Sequence, residues 1–400
     1  MEVKIYTAIS KIDRLEWNKC CEEAAGKGKE NPFLAWEFLN ALEESGSASG
    51  ASGWAPHHLV VHDKHSSRIL ACAPVYLKGH SYGEYVFDHS WARAYRTFSS
   101  DNYYPKLQCC VPFTPVMGPR LMARGETEEE ARRARRALAR GMVELCSKYG
   151  LSSAHVTFPT KEDWELMGRQ GFLLRTGIQY HWRNEGYQSF DEFLMRLKQS
   201  RRKSIRQERN KVAKAGVRVK ALTGEEIEER HWDAFYQFYL NTVDEKWGQA
   251  YLNRKFFTLL GREMANKVLL VVAEEEETGE LVAGALNLIG GDCLYGRNWG
   301  CSKKYDSLHF ELCYYQAIDA AIRMGLQRVE AGAQGEHKIS RGYLPTFTYS
   351  AHFIRVPNFR NAVNQALVQE RDQIIYASAM LTLQESPYKV NQHRSSSSPC

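Results

Sequence analysis

No two of the ten cysteines are spaced as CxxC, and none joins a histidine in a zinc-binding pattern, which excludes metal centres built on those spacings. Thiols scattered in this way suit a reducing compartment, where they serve as small buried hydrophobes. No apolar run approaches the roughly 18 residues that a membrane helix needs, so no membrane span is expected. The opening MEVKIYTAIS alternates like a strand and reads neither as a secretory signal nor as an Arg/Ser-rich transit peptide. A cytoplasmic protein is expected, with a plastid or mitochondrion as the alternative if a presequence precedes this chain. Net charge is also small: +6 over 400 residues does not by itself argue for a nucleic-acid partner. No motif points to a metal, a flavin or a nicotinamide.

What is present is enough chain for two domains and a run of elements read twice. The first half reads as a strand over 3–9, helices over 11–24 and 32–42, strands over 58–62 and 68–77, a helix over 127–148, a strand over 153–158, a helix over 164–170 and a strand over 172–182. Thr127 and Glu130 form a capping box at the start of the long helix. The second half reads as a strand over 217–222, helices over 225–242 and 253–265, strands over 268–273, 281–289 and 293–299, a helix over 308–324, and strands over 328–331 and 347–354. VPFTPVMGPRL (111–121) holds too much proline for a regular central strand and allows one that stops pairing, leaving backbone groups available. An antiparallel meander followed by helix and strand is the plan of the GNAT acyltransferase fold, in which a splayed central strand admits an acyl thioester arm. The expected fold class is therefore α/β (α+β), two tandem GNAT-like acyl-CoA N-acyltransferase domains with mixed, largely antiparallel sheets.

Three stretches carry candidate chemistry. VEAGAQGEHKISRGYLP (329–345) places Gln334, Glu336, His337, Lys338 and Arg341 among three glycines at a strand end, where ligands of α/β folds commonly bind; a solvated polar turn is the alternative. A helix over 189–215, closed by Gly216, carries Arg201, Arg202, Lys203 and Arg206, either an anion-binding face for phosphate or RNA or a solvated helix between domains. The polar-aromatic stretch 82–104 contains Asp88, Trp91 and Tyr104, with Lys106 just after it, and reads as a pocket lining or a surface loop pinned by aromatics. Tyr295, Arg297 and Trp299 lie on the meander, and His309 and Glu311 open the helix after it, whose N-terminal N–H groups favour an anion.

LYGRNWG (294–300), LHFELCYYQAID (308–319) and GAQGEHKISRGYLP (332–345) resemble the FemAB-like predicted N-acyltransferases, of the peptidoglycan biosynthesis/recognition type. FDHSWARAY (87–95), YYPKL (103–107) and VPFTPVMGPR (111–120) extend the resemblance through the first half. It implies a first GNAT-like domain over 1–188, the basic helix and a second such domain over 189–356, and a C-terminal helix with a disordered Ser-rich tail over 357–400. It also implies transfer of an acyl or aminoacyl group to an amine, with no tightly bound cofactor and with acyl-CoA or aminoacyl-tRNA as donor. The [RQ]-x-x-G-x-[GA] pyrophosphate loop of acyl-CoA enzymes is only approached by RNWGCS (297–302), which leaves the two donors open. The amine needs a base: His337 or Glu336 first, Glu311 or Asp88 next. Lys338, Arg341 and the basic helix are expected on donor phosphates, and Arg297 or Tyr295 near the developing oxyanion. The acceptor is expected to be a small molecule or peptide amine, and tRNA is a conceivable partner. The rival readings are a non-catalytic module recognising peptidoglycan or peptide, and an RNA-binding protein using the basic helix.

Overall fold

The computed structural model describes residues 1–66, 68–246, 248–333 and 335–389. In the first half, β1 (Glu2–Tyr6) leads to α1 (Arg14–Ala25) and α2 (Trp36–Glu44), then β2 (Trp54–Pro56), β3 (His58–His62), β4 (Ile69–Ala73) and β5 (Val75–Lys78). Next come α3 (His89–Phe98), β6 (Lys106–Cys109), β7 (Met122–Ala123), α4 (Glu128–Lys148), β8 (Ser153–Thr157), α5 (Lys161–Arg169) and β9 (Leu173–Arg183). The second half holds α6 (Phe190–Arg196), α7 (Gln199–Ala213), β10 (Val217–Thr223), α8 (Glu229–Lys246), α9 (Arg254–Glu263), β11 (Val268–Glu275), β12 (Leu281–Ile289) and β13 (Cys293–Cys301). Then α10 (Leu308–Phe310) runs through a π-turn, Glu311–Tyr315, into α11 (Gln316–Arg323), followed by β14 (Arg328–Glu330), β15 (Leu344–Ile354) and α12 (Pro357–Glu385).

The architecture is the expected tandem one, with an exchange between the halves. The meander β10–β11–β12–β13 continues through β14 to β9, a first-half strand, and β15, a second-half strand, lies between β9 and β8. The result is one mixed sheet in the order β10-β11-β12-β13-β14-β9-β15-β8-β6-β5-β2, beside a four-stranded sheet β1-β3-β4-β7. Each half contributes one parallel pair to the large sheet, β6 with β8 and β13 with β14, at equivalent places in the repeat. The strand expected over 68–77 divides at Pro74, which has no N–H to give a ladder; β4 serves the small sheet and β5 the large one. Residues 111–121 form no strand, as their prolines require.

Two local expectations need correction. The basic helix is not continuous: α6 and α7 are separated by extended Leu197 and Lys198. The far C-terminal segment pairs there, with Leu197 bridging Tyr388 and the N–H of Lys198 donating to the Pro387 carbonyl at 2.8 Å. The stretch 82–104 contains a helix, α3, which lays Tyr95 into a core with Phe359 of α12. The serine-rich tail falls outside the described residues. Apolar packing also joins the halves: Phe33 meets Tyr295 edge-on at 5.3 Å between ring centres, and Phe38 meets Phe256 at 5.7 Å.

Strand exchange makes each half depend on the other. Residues 1–188 expressed alone lack the strand between β8 and β9, so they are expected to aggregate, while co-expression with 189–400 restores a folded complex. Circular dichroism and gel filtration check this; a cooperative melt of 1–188 alone would contradict it.

Candidate active site

Strands β13 and β14 pair over only three positions, Cys293 with Arg328, Leu294 with Val329 and Tyr295 with Glu330. Beyond Tyr295, β13 continues on β12 through a bulge, where the register shifts between Ala285 and Asn287 and Arg297–Asn298 are accommodated. Bulges turn strands and re-aim side chains, often beside active sites. On the other flank the chain leaves β14 into Gly332 (φ 81°) and Gly335 (φ 114°), conformations that glycine adopts without strain. It then coils into a 3-10 turn, Glu336–Arg341. A cavity of about 670 Å3 fills the opening between the parted strands.

Both halves line it. Gly296 to Trp299, His309, Cys313, Tyr314, His337 and Lys338 come from the second half, and Ser81 to Gly83, Tyr85, Phe87, His89 and Phe113 from the first. Tyr85 and Phe113 are non-glycine residues at φ 56° and 58°. Such backbone strain persists where surrounding structure over-determines it, and it concentrates at working sites. The π-turn lies on the cavity wall too; inserted turns of this kind frequently mark functional sites.

Lys338 is buried, and its Nζ donates to the carbonyls of Ala331 (2.6 Å) and Gly332 (3.3 Å), the first residues after β14. Burial brings its pKa down to about 8, opposed by the nearby Cys313 thiol. The ammonium therefore sits at the parting of the strands, on the cavity wall. His337 Nε2 lies 2.9 Å from the Tyr314 hydroxyl, with the ring beside Phe310. Trp299 and His309 stack edge-on at 5.1 Å. Arg297 donates to the Phe113 carbonyl and lies 5.6 Å over the Phe33 ring; burial lowers its pKa, and the phenols of Tyr85 and Tyr239 act to raise it.

The structure places other expected residues elsewhere. Glu336 begins the 3-10 turn, exposed and off the cavity wall, because successive residues of such a turn point about 120° apart. Glu311 is buried away from the cavity; its oxygens accept from Arg209 at 3.0 and 3.1 Å and from Gln316 at 2.8 Å, so it is not a base. Arg341 is likewise committed, donating to Glu208 (2.9 Å), Tyr315 (3.1 Å) and the His337 carbonyl (2.9 Å), with its guanidinium 3.5 Å over Phe310. Tyr295 is buried and faces the opposite side of the sheet. Gln334 lies outside the described residues. On α7, Lys203 and Arg206 are exposed and Arg201 and Arg202 half-buried; Arg206 pairs with Asp191 at 3.1 Å.

Asp88 is not a base either. Lys106 Nζ donates to Asp88 (2.5 Å), Glu84 (2.6 Å) and Ser81 (3.0 Å), and the Tyr103 hydroxyl donates to Asp88 (2.7 Å), all in the interior. Burial pushes the Asp88 pKa up, but the Lys106 ammonium more than reverses this and holds it well below the carboxylate range. Tyr104 shares a 2.7 Å hydrogen bond with Ser81, and Trp91 packs edge-on against His352 at 4.9 Å. This cluster underpins the loop that walls the cavity, and of its members Ser81 reaches the wall while Asp88, Lys106, Trp91 and Tyr104 do not. Sequence reasoning missed Tyr314, Cys313, Tyr85 and Phe113. Tyr314 is the one with a local signal, since it stands inside the expected helix in an aromatic pair with Tyr315.

The model of one family, FemAB-like, described as peptidoglycan biosynthesis/recognition, matches residues 8–390. The chain belongs to the FemAB-like family. It is accordingly an acyl- or aminoacyltransferase. Among solved structures it is similar to FemX, with a TM-score of 0.56 at 11% identity over 91% of this chain and 100% of that one. It is also similar to the C-terminal domain of a putative lysylphosphatidylglycerol synthetase from Agrobacterium fabrum, with a TM-score of 0.51 at 8% identity over 90% and 97%. At such identities these likenesses concern the fold. No curated protein matches the sequence significantly. Among the described residues no helix is long and apolar enough to cross a membrane, and no cluster of three or more His, Cys, Asp or Glu side chains is placed to hold a metal ion.

Among the described residues, Lys106 is the one cation bonded to two buried carboxylates. Lys106→Met is expected to destabilise the protein by about 3–5 kcal/mol, the cost of leaving buried charge unpaired. Urea denaturation measures this; an unchanged midpoint would contradict the account.

Proposed function

We propose that the cavity between β13 and β14 is the transfer site of this FemAB-like enzyme. There the acyl carbonyl of an activated donor is attacked by a primary amine. The observation that carries the reading is the convergence, where the strands part, of the Lys338 ammonium, the His337–Tyr314 pair and the β13 backbone beyond its last pair with β14. In the step, the amine nitrogen bonds to the carbonyl carbon and the carbonyl oxygen takes the negative charge. His337 accepts the amine proton, with Tyr314 fixing its ring. Lys338 and β13 N–H groups stabilise the oxyanion as preorganised donors aimed where charge develops. The bond to the leaving thiolate or ribose oxygen then breaks, and the leaving atom takes up a proton.

The donor is an acyl or aminoacyl group on a phosphate-bearing carrier. The turn entering α10 offers little free positive charge, since Lys303 pairs with Glu275 and Glu280, and Lys304 with Glu245. Arg201, Arg202 and Lys203 on α7 and Lys214 at its C-terminal cap, which have no carboxylate partner among the described residues, remain for carrier phosphates. Radiolabelled acyl-CoA and aminoacyl-tRNA, each offered with an amine mixture, separate the two carriers. A tRNA donor shows binding that weakens steeply with salt. Absence of transfer from either carrier would count against the reading.

The Lys338 ammonium is present below about pH 8 and lost above it, so turnover is expected to fall as pH rises through about 8. Lys338→Arg keeps its charge at every pH and should remove this alkaline limb. Lys338→Met should lower kcat by about 10²–10³. His337→Gln should lower turnover across the whole range. A pH–rate series on the three variants checks this; an alkaline limb that persists in Lys338→Arg would remove Lys338 from the step.

A further inference from the structure

The transfer site uses one side of the β13–β14 pair. A second cavity, of about 890 Å3, opens on the other side, over the centre of the large sheet. Alternation along the strands sends Leu294, Val329 and Trp182 into the apolar core under α11, and turns Tyr295, Glu330 and His181 into this cavity. Neighbouring residues of the same two chain segments line the two cavities. Tyr295 and Glu330, the last β13–β14 pair, line the second cavity, while the next residues on each strand, Gly296 and Ala331, line the first.

The floor of the second cavity is short of positive charge. Arg328 donates to Asp292 and to Glu330 Oε1 at 3.3 Å, so one guanidinium serves two carboxylates. Glu330 is 3% exposed, and its Oε2 has no hydrogen-bond partner among the described residues. His181 Nε2 lies 3.9 Å from that oxygen, but it is 3.1 Å from the Gln179 side-chain oxygen, and burial lowers the His181 pKa and keeps the ring neutral. A buried carboxylate oxygen left this way is costly, and a ligand that brings a charged N–H donor offsets the cost. At the mouth the balance reverses: Lys29, Lys161 and Arg183 are exposed there against Glu185.

We propose that this cavity binds an amino-acid- or peptide-like zwitterion, its primary ammonium on Glu330 Oε2 and its carboxylate among Lys29, Lys161 and Arg183. That this ligand is the amine acceptor rests on the transferase reading; the binding site does not. Glu330 then holds the amine one residue from the point where the donor cavity begins.

The test is calorimetric titration of the full chain with 6-aminohexanoate, which carries an ammonium and a carboxylate at opposite ends, and with hexanoate, which lacks the ammonium. The aminohexanoate is expected to bind and hexanoate not. Glu330→Gln should weaken binding by at least about tenfold, the value of one charge-assisted hydrogen bond. Thr346→Trp fills the same cavity without touching its charges and should abolish binding with the fold intact, as circular dichroism would show. Equal binding of hexanoate, undiminished binding by a folded Glu330→Gln, undiminished binding by Thr346→Trp, or no binding of aminohexanoate would each overturn the proposal. No donor is present in the titration, so a failure of acyl transfer falls on the transferase reading alone.

Discussion

The parallel ladder between β13 and β14 ends after three pairs, and the site depends on that ending. A strand that lost its neighbour in the middle of a sheet would expose unsatisfied backbone. Here each flank is held from behind. β12 supports β13 through a bulge, and Gly300 allows β13 to lie so close to α8 that a Cβ there would sit 1.9 Å from the Phe238 carbonyl oxygen. The other flank is backed by β9 along β14, and beyond Glu330 it relies on side chains. Lys338 ties the turn back to the Ala331 and Gly332 carbonyls.

Buried ion pairs do the remaining positioning. Glu208 of α7 accepts from Arg341 and Tyr315, and Arg209 next to it holds Glu311. One turn of α7 thus pins both the 3-10 turn that carries His337 and the π-turn that carries Tyr314. Such pairs add little net stability, because desolvation offsets most of the attraction, but removing one partner is expensive. Their use here is geometric: they fix two irregular turns that apolar packing alone would leave free to slide. The Lys106 cluster does the same for the first-half wall.

Much of the fold was legible. Alternation and capping boxes located most strands and helices, and the glycines of 332–342 marked the turn that carries His337 and Lys338. What was not legible depended on distant partners. Leu197 looks like any apolar helix residue until Tyr388, far along the chain, pairs with it. Strand 344–354 is readable as a strand, but nothing local says that it lies beside β8 rather than β14. Lys106 and Asp88 have the composition of a ligand site, and only their burial against each other shows that they serve the wall. For α3 the signal was present, since Trp91, Tyr95 and Phe98 follow helical spacing, yet the interleaved charges masked it. The π-turn has no sequence signature that marks it off from an ordinary helix.

The central claim is that donor enters where β13 leaves β14. Hydrogen–deuterium exchange of the full chain, with and without a non-reactive acyl-CoA or aminoacyl-tRNA analogue, reads this directly. The account predicts that amides over 296–301 are slowed by the analogue that binds, together with those over 335–339. Protection confined to other parts of the sheet, with 296–301 exchanging as in the free protein, would contradict it.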